Sequence, residues 1–243
     1  MTFSTPLFHP PVARGFAAVA AAAAPAARWR PGLASACRHS EIFAPANEAS
    51  GAGAALALAL DRGDRSERPW LWVQDKAARR LAGRPYRPGL PAALRDRLIH
   101  VAADTPQDAL FALEEGLRCR DLGFVIGEIA GNPKPLNLTA SRRLSLAAEK
   151  HGIPLWLIRL DAARDLGSAR LRWEVRAASS SPPRWNPQAA GAPAWRAQLF
   201  RAHTYQPGTW ILRDDAKLRA EPATPPHSGD LVRAAGARPL AAG

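Results

Sequence analysis

Glu41-Ile-Phe-Ala-Pro45-Ala-Asn-Glu48-Ala-Ser50-Gly51-Ala-Gly53-Ala-Ala-Leu-Ala-Leu-Ala-Leu60 reads as a strand, a small-residue loop and a helix. That is the layout of a phosphate-binding loop. In a loop of the form G-x-x-x-x-G-K-S/T, glycines let backbone N–H groups approach the phosphates, the Lys neutralises their charge and the hydroxyl holds Mg²⁺. Here Pro45, Ser50, Gly51 and Gly53 mark the loop, but Ala52, Ala54 and Ala55 stand where the Lys and hydroxyl belong. No Lys or Arg occurs between Arg38 and Arg62, while Glu41 and Glu48 lie close by. A triphosphate would meet the partial charge of the helix dipole and little else. Two readings stand: a nucleotide site that keeps its frame without its chemistry, or an Ala-rich helix after an ordinary turn.

Outward from this stretch the chain alternates between strands and helices. The helix ends at Asp61-Arg62-Gly63, a C-cap signal. Trp70-Leu71-Trp72-Val73 is an apolar run suited to a strand buried on both faces, and Leu98 to Val101 is the next strand. Between them lie Gln74-Asp75-Lys76, a loop at Gly83 to Leu90 and a short helix from Pro91 to Arg97. Asp104-Thr105-Pro106 opens a helix whose face carries Leu110, Leu113 and Leu117. Gly123 to Ile129 is the clearest buried strand, and it carries Glu128 near its end. A helix from Asn137 to Gly152 and a strand from Ile153 to Leu160 follow. Five such alternations predict an α/β fold with a mainly parallel, doubly wound sheet. Leu171 to Val175, Trp195 to Arg201 and Thr209 to Leu212 alternate with period two, as antiparallel strands added at one edge would. Residues 1–36 read as a flexible Ala/Pro/Arg arm, 37–215 as the folded domain and 216–243 as a disordered basic tail.

The 243 residues carry 33 Lys and Arg against 21 Asp and Glu, for a net charge of +12. The excess lies on the flanks: Met1 to Ser40 has Arg14, Arg28, Arg30 and Arg38 and no acid. Such a distribution favours an acidic partner, and any direct DNA contact is expected to be weak, sequence-independent and sensitive to salt. The 2 cysteines cannot form a disulfide framework and read as free thiols of a reducing cytosol. No apolar run is long enough to span a bilayer, so no membrane is expected as a partner.

In α/β sheets ligands gather beyond the carboxyl ends of the strands, which selects Ala44 to Ser50, Gln74-Asp75, Ala102 to Asp104 and Glu128. Glu128 could hold Mg²⁺ in a nucleotide-hydrolysing site, or it is a solvated or capping acid. Arg142-Arg143 near a helix start is a candidate contact for DNA or a protein partner, against the plain reading of a solvated face. Trp185, Trp195, Arg196 and Trp210 suit base stacking and core packing equally. The histidines have no metal-ligand spacing, and Cys37-Arg38-His39 is too isolated to argue a nucleophile or a zinc site. No catalytic residue, metal or cofactor is expected.

Glu-Ile-Phe-Ala-Pro at Glu41, Leu-Trp-Val-Gln at Leu71, Pro-Tyr-Arg-Pro-Gly-Leu at Pro85, Asp-Ala-Leu-Phe-Ala-Leu-Glu-Glu-Gly-Leu-Arg-Cys at Asp108, Gly127-Glu128 and Leu-Thr-Ala-Ser-Arg-Arg-Leu at Leu138 occur in this order. Together they resemble the ImuA family of RecA-like accessory proteins of bacterial inducible mutagenesis, from about Cys37 to Val175 and more weakly through Trp210. The resemblance implies a RecA-like three-layer α/β fold and induction by DNA damage in the SOS response. It also implies work beside an ImuB-like polymerase homologue and an error-prone replicative-type DNA polymerase in translesion synthesis, with RecA as a further partner. It implies a cytoplasmic protein that joins the nucleoid after damage. The missing Lys and hydroxyl argue for a partner protein rather than an enzyme. The alternatives are a SulA-like division inhibitor and a cryptic RecA-type ATPase using Glu128.

Overall fold

A computed structural model describes residues 27–31, 37–62, 67–215 and 217–223. The short strand β1 (Ala27–Arg28) precedes β2 (His39–Ala44), all six of whose residues are buried. Then come α1 (Ser50–Asp61), β3 (Trp70–Gln74), α2 (Lys76–Ala82), α3 (Ala92–Arg95) and β4 (Leu98–Ala102). The chain continues through α4 (Pro106–Arg118), β5 (Val125–Ala130), α5 (Leu138–His151), β6 (Leu155–Leu160) and β7 (Leu171–Ala177). It closes with β8 (Ala194–Ala202), β9 (Tyr205–Gln206), β10 (Gly208–Asp215) and β11 (Lys217–Pro222).

Nine strands form one mixed sheet in the order β11-β10-β8-β7-β2-β6-β5-β3-β4. From β7 to β4 every neighbour is parallel, and β8, β10 and β11 add antiparallel ladders beyond β7. Helices cover both faces. α1 lies on β2, β6 and β7, while α4 and α5 pack on each other and on the opposite face. Each face has its own core. One holds Trp70, Trp72, Phe124, Trp156, Trp173, Trp195 and Trp210; the other is built from Leu113, Leu117, Val125, Ile129, Leu144 and Leu157. Continuous apolar strands such as Val125–Ala130 are what a sheet covered twice requires.

The structure departs from the sequence reading in four places. β7 pairs in parallel with β2, so the antiparallel addition starts one strand later, at β8. Residues 76–82 form a helix, because Asp75 is its cap: the carboxylate accepts from Ala78 N at 2.7 Å, and Gly83 ends the helix at φ 77°. Residues 217–222, assigned to the tail, form β11, which pairs antiparallel with β10 and buries Leu218. Within the segment expected to be a free arm, β1 pairs with β9 and Trp29 is buried edge-on against Trp173, at 4.8 Å, and Trp210, at 5.5 Å. The rest of the arm and the end of the tail lie outside the described residues. No helix among the described residues is long and apolar enough to cross a membrane.

Candidate functional site

The strand β2, its loop and α1 come out as the sequence predicts, but the loop residues do other work. α1 begins at Ser50 behind Ala49, which offers no side-chain cap. Ser50 is buried and its hydroxyl has no hydrogen-bond partner among the described residues. A Cβ on Gly51 would fall 2.8 Å from Ala44 Cβ and 2.9 Å from Ile158 Cγ2, so this glycine seats the helix on β2 and β6. A Cβ on Gly53 would fall 2.6 Å from Cζ2 of Trp195, on β8. Both glycines serve close packing of helix on sheet. Pro45 lies on the far side of the loop, against a cavity of about 280 Å³ shared with Asp161, Arg164 and Glu174.

Acids pin the loop. Asp161, held at φ 49°, accepts from Ala46 N at 2.9 Å, and Glu48 accepts from Ala177 N at 2.6 Å. An approaching phosphate would meet these carboxylates before any cation of the loop, which has none.

Glu128 lies across the sheet on β5, and strand order brings Gln74 of β3 directly opposite it. Gln74 donates to Glu128 Oε2 at 2.6 Å and Trp72 Nε1 to the same oxygen at 3.3 Å. His100 Nε2 meets Gln74 Oε1 at 3.0 Å, which extends the chain of contacts to β4. Glu128 is 2% exposed, and burial pushes its carboxyl up to about 7, against the pull of the Gln74 and Trp72 hydrogen bonds. Its carboxyl borders a half-open cavity of about 410 Å³ between the α1 loop and the segment 81–86. Trp72, Leu81, Tyr86 and Leu160 supply the apolar wall, and Arg84 is the cation of the lining. Apart from Asn47, the polar residues that converge there are Glu48, Gln74, Arg84 and Glu128. Sequence reading found Glu128 but not its network or the Arg84 wall, which depend on pairing between strands 54 residues apart.

A second buried charged group holds the sheet centre. Glu41, Arg159 and Arg172, on adjacent strands β2, β6 and β7, are almost wholly buried. Arg172 Nε donates to Glu41 Oε2 at 2.6 Å, and Arg159 reaches Asp165 at 3.3 Å and Gly131 O at 3.1 Å. Burial raises the Glu41 carboxyl, an effect held back by Arg172 and Arg159. His39 beside them bonds Ser145 Oγ at 2.7 Å, and burial lowers its imidazole to about 3. The histidine lies in the core, and the described residues contain no group of three or more metal-binding side chains. Arg143 pairs with Glu114 at 2.6 Å and Arg142 is exposed on α5, a helix whose start is capped by Asn137 at 3.0 Å. The two arginines therefore lie apart from the Glu128 cavity and are not joined to it.

No family model matches the chain. Two curated relatives, each called "Protein ImuA", from the NA1000/CB15N and CB 15 strains of Caulobacter vibrioides, are 36% identical to it over 182 residues, covering 69% of this chain and 70% of theirs. The chain belongs to the ImuA family. In this ImuA-family protein Gly51 and Gly53 serve the packing of α1 on the sheet, and Asp161 and Glu48 anchor backbone N–H groups around its loop.

Proposed function

We propose that this chain is a non-catalytic, RecA-like accessory protein of damage-induced, error-prone translesion DNA synthesis, acting through protein contacts. One observation carries the reading. The loop that would cradle a phosphate has its glycines committed to packing against Ala44, Ile158 and Trp195, and its polar anchors are acids. The parallel block β7-β2-β6-β5-β3-β4, helices on both faces and an antiparallel extension beyond β7 support a RecA-like architecture. Its partners are an ImuB-like polymerase homologue, an error-prone replicative-type DNA polymerase and RecA, at the nucleoid after damage. Affinity capture of the tagged protein from DNA-damaged cells, with partners identified by mass spectrometry, tests this. Recovery of the two polymerase-type partners is expected. Deletion should lower damage-induced mutation without changing cell length. Filamentation on overproduction, with induced mutation intact in the deletion strain, points instead to a division inhibitor.

A second reading has its own observation. Glu128, whose carboxyl burial pushes up to about 7, borders a cavity beside an uncapped helix start. A cryptic ATPase would use that acid to position metal or water. The expected result is no ATP turnover by the purified protein, with or without single-stranded DNA; turnover abolished by Glu128→Gln establishes the ATPase.

A further inference from the structure

Trp173, Trp195, Trp210, Leu212 and Leu218 point into the core beneath α1. On the other face of these strands Arg164 and Asp165 lie over Arg172 and Phe200, and beyond them the residues from Arg176 and Arg196 out to Arg213 and Arg219 form an open face. Three arginine pairs stand directly opposite each other across neighbouring strands: Arg172 faces Arg201, with Arg172 buried against Glu41, and on the open part of the face Arg176 faces Arg196 and Arg213 faces Arg219. Directly opposed like charges destabilise a sheet. One member of each open pair has a carboxylate, since Arg176 reaches Glu174 at 3.5 Å and Arg213 reaches Glu221 at 3.8 Å. Arg196 and Arg219 are exposed and have no carboxylate partner among the described residues. A sheet face that tolerates such repulsion is complementary to a chain of negative charge.

The neighbouring linker supplies a different kind of contact. Residues 178–193 leave and rejoin the sheet beside β10, where Arg213 donates to Ser179 O at 3.4 Å and Asp214 N to Pro193 O at 3.0 Å. A turn closed by Asn186 N on Pro183 O, at 3.1 Å, presents Trp185, which is 82% exposed. Of the tryptophans that the sequence offers for stacking, Trp195 and Trp210 are core and Trp185 is free to meet a flat ring. Guanidiniums that take phosphates in two-pronged hydrogen bonds, next to an exposed indole, are the two elements of sequence-tolerant single-strand recognition. An acidic protein surface would use the cations and leave the indole idle.

We propose that the open face of β7, β8, β10 and β11, with Trp185 at its end, binds single-stranded nucleic acid. The site lies within the folded domain, on a different element from the Glu128 cavity, and stands whether or not the mutagenesis reading holds. Fluorescence anisotropy of labelled oligo(dT) with the full-length protein, titrated against salt, tests it. The Arg196→Gln/Arg219→Gln pair should weaken binding about tenfold at low salt and flatten the log K against log salt slope by roughly 1.4, from about 0.7 per lost phosphate contact. Trp185→Ala should weaken binding several-fold and leave the slope unchanged. The Gln pair should also unfold at a higher temperature than wild type, because the repulsion is gone. Unchanged binding in the Gln pair, no binding by the wild type, or poly-glutamate competing as well as the oligonucleotide at equal charge each overturns the proposal.

Discussion

Glu128 stands where its negative charge is costly, on a buried strand with two donors and no cation in contact. In the folded state its pKa is pushed up to about 7 from the ordinary 4.5, so the folded state holds the proton more tightly than the unfolded one. The stability this contributes is full below pH 4.5 and is lost as pH rises through 7, up to about 3 kcal/mol for a shift of this size. Glu128→Gln keeps an oxygen for Gln74 and Trp72 and removes the titration. Urea unfolding at pH 5 and pH 8 should show a smaller stability difference in the variant than in wild type. His39 has the opposite sign. With its imidazole lowered to about 3 from 6.5, its contribution is full above pH 6.5 and is lost as pH falls towards 3. Its ring signals in NMR should show no inflection between pH 5 and 8. The sequence reading ends the apolar run at Glu128, but β5 continues through the buried Ile129 to Ala130, so the acid lies inside the strand, where only pairing with β3 and β6 buries it. The coupling of Glu41 to Arg172 was not legible either, because it joins residues 131 apart through strand order alone.

At the scale of elements, α1 depends on its glycines more than on helix propensity. Gly53→Ala would ordinarily gain about 1 kcal/mol in a helix interior, but the added methyl would sit 2.6 Å from Trp195. Overpacking of that kind costs about 1–3 kcal/mol, so the variant should be less stable by denaturant titration. Adding Trp195→Leu should recover part of the loss, a non-additivity that separates a steric clash from a backbone effect. The apolar runs of β3 and β5 and the apolar faces and caps of α4, at Thr105, and α5, at Asn137, are legible in the sequence, whereas α1 starts without a side-chain cap. α2 was missed because its cap, Asp75, was weighed as a site residue, and Lys76–Ala82 carries the single buried side chain of Ala78. β11 was missed because a Pro- and Arg-rich composition conceals Leu218 and Ala220, whose burial depends on β10 and α1.

For the whole molecule, two cores back to back make the sheet a shared wall, and Trp29 seals one end of it. Trp29→Ala would open a hole beside Trp173 and Trp210 and should cost about 3 kcal/mol, measured by urea unfolding, with a change in the near-ultraviolet signal of the tryptophan cluster. A variant as stable as wild type would show that the segment at residues 27–31 does not brace the fold. The sheet also ends at β4, a short strand on which Ile99 is 47% exposed and Arg87 donates its guanidinium to the Leu98 carbonyl at 2.9 Å. A bare strand edge is a template on which other chains add and aggregate. Arg87 therefore acts as a guard on solubility: Arg87→Ala should scatter light and sediment at concentrations where the wild type stays clear, with its unfolding midpoint nearly unmoved.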